Sequence, residues 1–124
     1  MPRKLLTVSV LAAALATAAV ALAAPSSTSS TPKLVGTVGP GYTITLTQNG
    51  TKVSTLKAAT YSVVVHDKAS IHAFSLDGPH GYAKDYTKIP FIGTKTFTVK
   101  LAAGKYKYYC PAHEPTMFGH FAVK

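Results

Sequence analysis

The sequence predicts an all-β fold, an antiparallel Greek-key β-sandwich formed by residues 34–124. Short segments in which apolar and polar side chains alternate recur through this region, as they do in half-buried strands. Gly, Pro and Asn residues that are typical of turns separate these segments. No window of helical length has a clear period of 3.6 residues. The region is long enough for one small domain with one hydrophobic core.

The first two strands are expected at residues 42–47 and 60–66. The earlier segment reads YTITLT and is followed by Asn49-Gly50, a strong signal for a tight hairpin turn. The later segment reads TYSVVVH and is rich in β-branched residues, which favour strands.

Three further strands are expected at residues 95–101, 105–110 and 118–124. In the first of them, Phe97, Val99 and Leu101 alternate with polar residues and should therefore share one face. Residues 77–93 break this rhythm, so we expect a long crossover or loop there.

The N-terminus has the pattern of a secretory signal. Arg3 and Lys4 precede an uncharged run over residues 5–23, which ends in the small-x-small pattern Ala21-Leu22-Ala23. We expect a signal peptide at residues 1–23 and a flexible tether, rich in Ser, Thr and Pro, at residues 24–33. An uncleaved membrane anchor is the alternative, although the many alanines contribute little to insertion. In both cases the domain lies outside the cytoplasmic membrane, in the periplasm or secreted.

The remaining chain is basic. Without Arg3 and Lys4, a net charge of about +7 remains of the formal +9. Such a charge favours acidic partners through electrostatic steering. Nucleic acid is not expected as a partner, because the lysines are scattered and no arginine remains after the signal.

Cys110 is the only cysteine of the chain, so it cannot form an internal disulfide bond. A free thiol outside the cytoplasm is a liability unless it is buried or occupied. His113 and Met117 follow Cys110 in one short segment, and His72 lies upstream among apolar residues. A thiolate, two imidazoles and a thioether are soft ligands that suit copper in an electron-transfer site. Zinc fits this set less well, since Met is a poor zinc ligand.

Three alternatives stay open for these residues. Cys110 could be a nucleophile paired with His113, but no orienting acid or oxyanion hole is recognisable. His66 could replace His72 in the ligand set. His113 and Met117 could also be ordinary loop and core residues, as in a metal-free interaction module. His80 and His120 are expected to be structural or exposed, with His120 pointing outward if Phe121 points inward.

The pattern of an early His, then C-x-x-H, then Met-x-Gly-x-Phe resembles that of the cupredoxins, the blue copper proteins. It is met by His72, by Cys110 and His113, and by the segment that starts at Met117. The resemblance covers the whole domain and is closest to small exported plastocyanin-like proteins. It implies a cupredoxin-type sandwich with one type 1 copper ion, whose equatorial ligands are His72, Cys110 and His113 and whose axial ligand is Met117. The carbonyl of Ile71 would be a more distant contact.

Two alanines depart from the family pattern. Ala73 stands where many cupredoxins have an Asn that ties the ligand loops together, and Ala112 stands where Pro often precedes the second His. The backbone N–H of Ala73 can still donate to the Cys110 sulfur. We predict a second N–H···S bond from Ala112, which would stabilise Cu(I) and raise the reduction potential.

The resemblance implies a monomeric one-electron carrier that is not an enzyme and has no small-molecule substrate. Redox partner proteins, acidic ones by charge, would dock near the ring edge of His113. Pro111, Pro115 and Phe118 are the expected contributors to an apolar docking patch. A copper-binding or copper-delivery protein without an electron-transfer role is the alternative from a different class.

Overall fold

The computed structural model describes residues 14, 16–24 and 29–124. Most of the predicted signal peptide and residues 25–28 of the predicted tether lie outside the described residues. Within the described part of the chain, no helix is long and apolar enough to cross a membrane.

The described residues form ten strands and one short 3₁₀ helix, Pro111–His113. The strands are β1 (Lys33–Val38), β2 (Ile44–Gln48), β3 (Thr51–Lys52), β4 (Thr55–Leu56), β5 (Ala59–Asp67), β6 (Ser75–Asp77), β7 (Ala83–Asp85), β8 (Gly93–Leu101), β9 (Gly104–Tyr109) and β10 (Phe118–Val123).

The strands form two five-stranded sheets that pack as a sandwich, as predicted. One sheet has the order β3-β2-β1-β5-β8 and the other has the order β4-β10-β9-β6-β7. Both sheets are mixed, because β1 pairs with β5 in parallel and β10 pairs with β4 in parallel. The prediction of antiparallel sheets is therefore wrong for these two strand pairs. The reason is that β3 and β4 carry the chain from one sheet to the other, so β5 returns beside β1 in the same direction.

Every segment that was expected to be a strand overlaps an observed one, with ends that differ by up to two residues. Asn49 and Gly50 have φ angles of 50° and 78°, the left-handed pair that a tight hairpin between β2 and β3 requires. In β8, Val99 and Leu101 are buried and Phe97 packs against the core. The predicted alternation on this strand is confirmed.

Five observed strands lie outside the expected segments: β1, β3, β4, β6 and β7. The reasons are clearest for β1 and β7. β1 begins at Lys33, the last residue of the predicted tether, and Gly36 interrupts its apolar alternation. A side chain at Gly36 would lie 2.8 Å from the Phe74 ring, so packing across the sandwich requires glycine here. β7 lies inside the region expected to be a loop, and its three residues are all exposed, which leaves no apolar pattern to recognise.

The core between the sheets is rich in aromatic rings that pack beside the candidate ligands. Phe74 follows His72 by two residues and stacks on Tyr108 at 6.0 Å between ring centroids. Tyr108 precedes Cys110 by two residues and also lies beside Phe121 of β10. The strands that lead into the site are therefore fixed by buried packing.

Candidate metal centre

Cys110, His113 and Met117 lie on the short loop that connects β9 to β10. The loop is closed at its base, because the Cys110 N–H donates to the Met117 carbonyl at 3.0 Å. Within it, the His113 N–H donates to the Cys110 carbonyl at 3.0 Å and the Met117 N–H donates to the His113 carbonyl at 2.9 Å. These bonds hold all three side chains at fixed positions on one turn.

His72 comes from the other sequence region that meets this loop, the connection between β5 and β6. Its backbone N–H donates to the Ala69 carbonyl at 3.2 Å, which closes a turn and directs the ring inward. Since the chain crosses from one sheet to the other here, the ring reaches the loop that follows β9. His72 and Cys110 are both completely buried, whereas His113 is partly exposed.

Three donor atoms converge at this point. His72 Nδ1 lies 3.2 Å from His113 Nδ1, and Cys110 Sγ lies 3.9 Å from the first nitrogen and 3.7 Å from the second. Bonds of about 2.0–2.3 Å at 120° would place such donor atoms about 3.5–3.7 Å apart. The spacing therefore matches three ligands around one ion. In the described part of the chain, no other group of three His, Cys, Asp or Glu residues has the spacing of metal ligands.

Met117 is 1% exposed and belongs to the buried core beside this cluster. With Met117 as the fourth residue, the donor set consists of two imidazoles, one thiolate and one thioether. This combination is diagnostic of type 1 copper among the common metal sites.

Comparisons with known proteins agree with the geometry. Reduced rusticyanin has a TM-score of 0.54 and 24% identity, and the match covers 74% of this chain and 78% of that chain. Rusticyanin from Thiobacillus ferrooxidans has a TM-score of 0.50 and 25% identity, with 74% and 76% covered. The chain has the cupredoxin fold. A reduced amicyanin mutant has a TM-score of 0.50 and 16% identity, with 74% and 82% covered. No protein-family model and no curated protein matches the sequence.

In this cupredoxin fold the His72, Cys110 and His113 cluster, together with Met117, fits one type 1 copper ion. The alternative set with His66 is not formed. His66 Nδ1 lies 2.9 Å from the Thr94 hydroxyl and belongs to no ligand cluster of the described residues. His80 and His120 are exposed, and Phe121 is buried, as the alternation along β10 predicted.

One of the two predicted N–H···S bonds is present. The Ala73 N–H donates to Cys110 Sγ at 3.5 Å. The backbone link between the two ligand segments is therefore present, although Ala73 lacks the side chain of the Asn found in many cupredoxins. The prediction of a second bond from Ala112 is wrong. Cys110 is the N-cap residue of the 3₁₀ helix, but its side chain makes no cap hydrogen bond. The sulfur lies instead beside the nitrogens of His72 and His113.

Tyr42 belongs to the site, although the sequence suggested only a strand residue. Its ring lies edge-on to both imidazoles, with centroid distances of 5.2 Å to His72 and 5.0 Å to His113. The side chain is 61% exposed, so it covers the histidines from the solvent side. Its position in the Gly-Pro-Gly-Tyr sequence, a lone aromatic residue after turn formers, is the signal that could have indicated a loop.

Several exposed apolar side chains either contact the imidazoles or belong to the segments that carry the ligands. Tyr42 covers His113, Ile71 precedes His72 and is 50% exposed, and Phe118 follows Met117 and is 48% exposed. Pro111 and Pro115 of the ligand loop are exposed as well. We call these five residues the apolar patch. Lys107 lies beside it, with its ammonium group 5.4 Å from the Phe118 ring centroid and paired with Glu114.

Proposed function

We propose that the protein is an exported type 1 copper protein that carries single electrons between redox partners and catalyses no reaction of its own. The observation that carries this proposal is the convergence of His72 Nδ1, Cys110 Sγ and His113 Nδ1 at ligand spacing inside a cupredoxin fold. The fold neighbours support it, since rusticyanin is described as a copper protein.

In this proposal His72, Cys110 and His113 are the equatorial ligands and Met117 is the axial ligand. A copper ion bound there supplies a reversible one-electron couple. The protein contributes rigidity: backbone hydrogen bonds fix the loop, and the surrounding core prevents His72 and Cys110 from moving. A site that holds one geometry in both oxidation states keeps the reorganisation on electron transfer small.

Burial favours electron transfer over copper delivery. Delivery requires a ligand set that opens to an incoming or outgoing ion. Here His72 and Cys110 are both 0% exposed, and the Ala73 N–H donates a hydrogen bond to the sulfur. Only His113 of the three has an exposed edge, which suits electron exchange better than ligand exchange.

We propose that redox partners dock on the apolar patch, with His113 as the point of electron transfer. The patch is small, as expected for a carrier that must dissociate quickly. The net positive charge and the neighbouring Lys107 favour partners with acidic rims.

Export is part of the proposal. The charged start, uncharged run and small-x-small pattern of residues 1–23 support a signal peptide, and residues 34–124 would then be the working domain in the periplasm or outside the cell. A lone, completely buried cysteine is compatible with an oxidising compartment once a metal occupies it.

The test is to add Cu(II) to residues 24–124 and to record the visible spectrum and the metal stoichiometry. We expect one copper per chain, an intense blue band and a reversible couple. The band should disappear in Cys110→Ser and remain in the matched control His120→Ala, which changes an exposed histidine. A pale, readily exchanged Cu(I) site would favour copper delivery, and failure to bind copper would contradict both functions.

A further inference from the structure

Two buried polar atoms of the described residues have no hydrogen-bond partner, and both belong to residues that hydrogen-bond to Ala69. They are Nε2 of His72 and Oδ2 of Asp67. His72 is 0% exposed and Asp67 is 2% exposed. Buried polar groups almost always have a partner, because leaving one unsatisfied is costly. Two orphaned atoms on residues that bond to the same backbone unit therefore suggest a shared partner.

The backbone around Ala69 places these two side chains close together. Asp67 is the last residue of β5, and its Oδ1 accepts the Ala69 N–H at 3.3 Å. The Ala69 carbonyl in turn accepts the His72 N–H at 3.2 Å. A Cβ atom placed on Gly39 would lie 3.5 Å from the Ala69 nitrogen and 3.3 Å from His72 Cδ2, the ring atom bonded to Nε2. The space beside Gly39 thus borders both the turn that Asp67 closes with Ala69 and the Cδ2–Nε2 edge of the His72 ring.

The two atoms are chemically complementary. His72 directs Nδ1 toward Cys110 and His113, so a metal bound there takes the lone pair of Nδ1 and leaves the proton on Nε2. Nε2–H is then a donor, whereas a carboxylate oxygen is an acceptor. Metal-bound histidines commonly donate their second N–H to a carboxylate, a carbonyl or a water, which orients the ring and raises its basicity.

We propose that Asp67 is the positioning residue of His72: one bridging water accepts the Nε2–H and donates to Oδ2 of Asp67. A bridge is the simplest link, because the two atoms do not hydrogen-bond directly in this structure. The carboxylate makes His72 a stronger electron donor and so stabilises Cu(II) relative to Cu(I). Asp67 thereby lowers the reduction potential and stabilises the bound Cu(II) ion. This inference rests on the proposed copper site.

The test is Asp67→Asn in the copper-loaded protein. The asparagine keeps Oδ1 for the Ala69 N–H, so the local turn survives. It replaces the anionic acceptor Oδ2 by an NH2 donor, so the water loses the carboxylate to which it donates and His72 loses the influence of the negative charge. We expect the Cu(II) affinity to fall about 10- to 100-fold, the effect typical of losing such a partner. The Cu(I) affinity should fall less, so the reduction potential should rise.

The matched control is Asp77→Asn. It makes the same change of charge at a carboxylate that accepts the Tyr109 hydroxyl, further along β6. We expect its potential and Cu(II) affinity to stay close to those of the unaltered protein. An unchanged potential in Asp67→Asn, in a protein that still shows the blue band, would overturn the role of Asp67 and leave the proposed function intact. If the unaltered protein did not bind copper, the proposed function itself would be refuted.

A second measurement covers the case in which Asp67→Asn does not fold. The unaltered Cu(I) protein, labelled with ¹⁵N at histidine, should show a His72 Nε2–H proton shifted downfield, as in a hydrogen-bonded imidazole. A proton with the shift of a free imidazole N–H would overturn the proposal.

Discussion

Individual buried tyrosines carry hydroxyl groups into the sandwich, and Tyr86 is the clearest case. The residue is buried, and its hydroxyl lies 2.8 Å from that of Tyr82. Burial raises the pKa of Tyr86 above its usual value, and the hydrogen bond with Tyr82 raises it further. Burial also raises the pKa of Tyr106 and of Tyr108. The folded protein therefore keeps these phenols neutral in alkaline solution.

This leads to a prediction for stability at high pH. An unfolded tyrosine ionises near pH 10. Because the pKa of Tyr86 is raised in the folded protein, its neutral phenol contributes to the free energy of unfolding. This contribution is fully present below about pH 10 and is lost as the pH rises further. The free energy of unfolding should fall above that pH by up to about 1.4 kcal/mol per pH unit for each such group. Tyr86→Phe should make this slope shallower in urea unfolding measured across the range. An equal slope in the variant would show that Tyr86 does not contribute.

Individual residues also show how much of the site could be predicted from the sequence. Cys110, His113 and Met117 could be identified because they share one loop, where spacing alone brings them together. His72 came only from the family resemblance, since its contact with the loop depends on how the sheets pack. Tyr42 could not be predicted as part of the site for the same reason, because its ring meets the imidazoles only in the folded protein.

Among the elements, the connection between β9 and β10 determines the geometry of the site. Phe118 pairs with Tyr109 across the base of the loop, and the Cys110 N–H bonds to the Met117 carbonyl just above it. The turn Pro111–His113 then sets the height of the His113 ring. Loop length is therefore a direct control on the positions of the ligands.

We predict that one glycine inserted between Ala112 and His113 will abolish the blue band and leave the sandwich folded. The insertion breaks the bond from the His113 N–H to the Cys110 carbonyl and displaces the imidazole from Cys110. The visible spectrum of the copper-loaded protein and the far-UV circular dichroism measure the two effects. The matched control is one glycine inserted between Asn49 and Gly50, at a hairpin that contains no ligand. A retained blue band in the loop variant would show that the loop tolerates the change.

The elements that could be predicted are the long strands with a clear alternation, such as β5 and β8. The pairing of β1 with β5 in parallel could not be predicted, because it depends on where the chain crosses between sheets. β7 could not be predicted either. It is an exposed edge strand, and its pairing with β6 stabilises it rather than any apolar pattern of its own.

At the scale of the whole molecule, the net positive charge predicts how salt affects the rate of electron transfer with small charged complexes. The formal charge of +9 includes Arg3 and Lys4, and about +7 remains without them. Salt screens attraction over about 10 Å at 0.1 M ionic strength. The rate at which an anionic iron hexacyanide complex oxidises the reduced protein should therefore fall as salt is added. A cationic cobalt complex of similar size is the control, and its rate should rise. Rates that are independent of salt for both would show that charge does not steer encounter.

The sheet order has a consequence for how the molecule reaches its folded state. β10 lies between β9 and β4, and β4 is distant from β10 in sequence. The second sheet therefore cannot form completely until β10 is present. Such distant pairings slow folding. A chain that emerges from a membrane channel N-terminus first would have no assembled binding site until β10 had emerged. Metal uptake would then follow the assembly of both sheets.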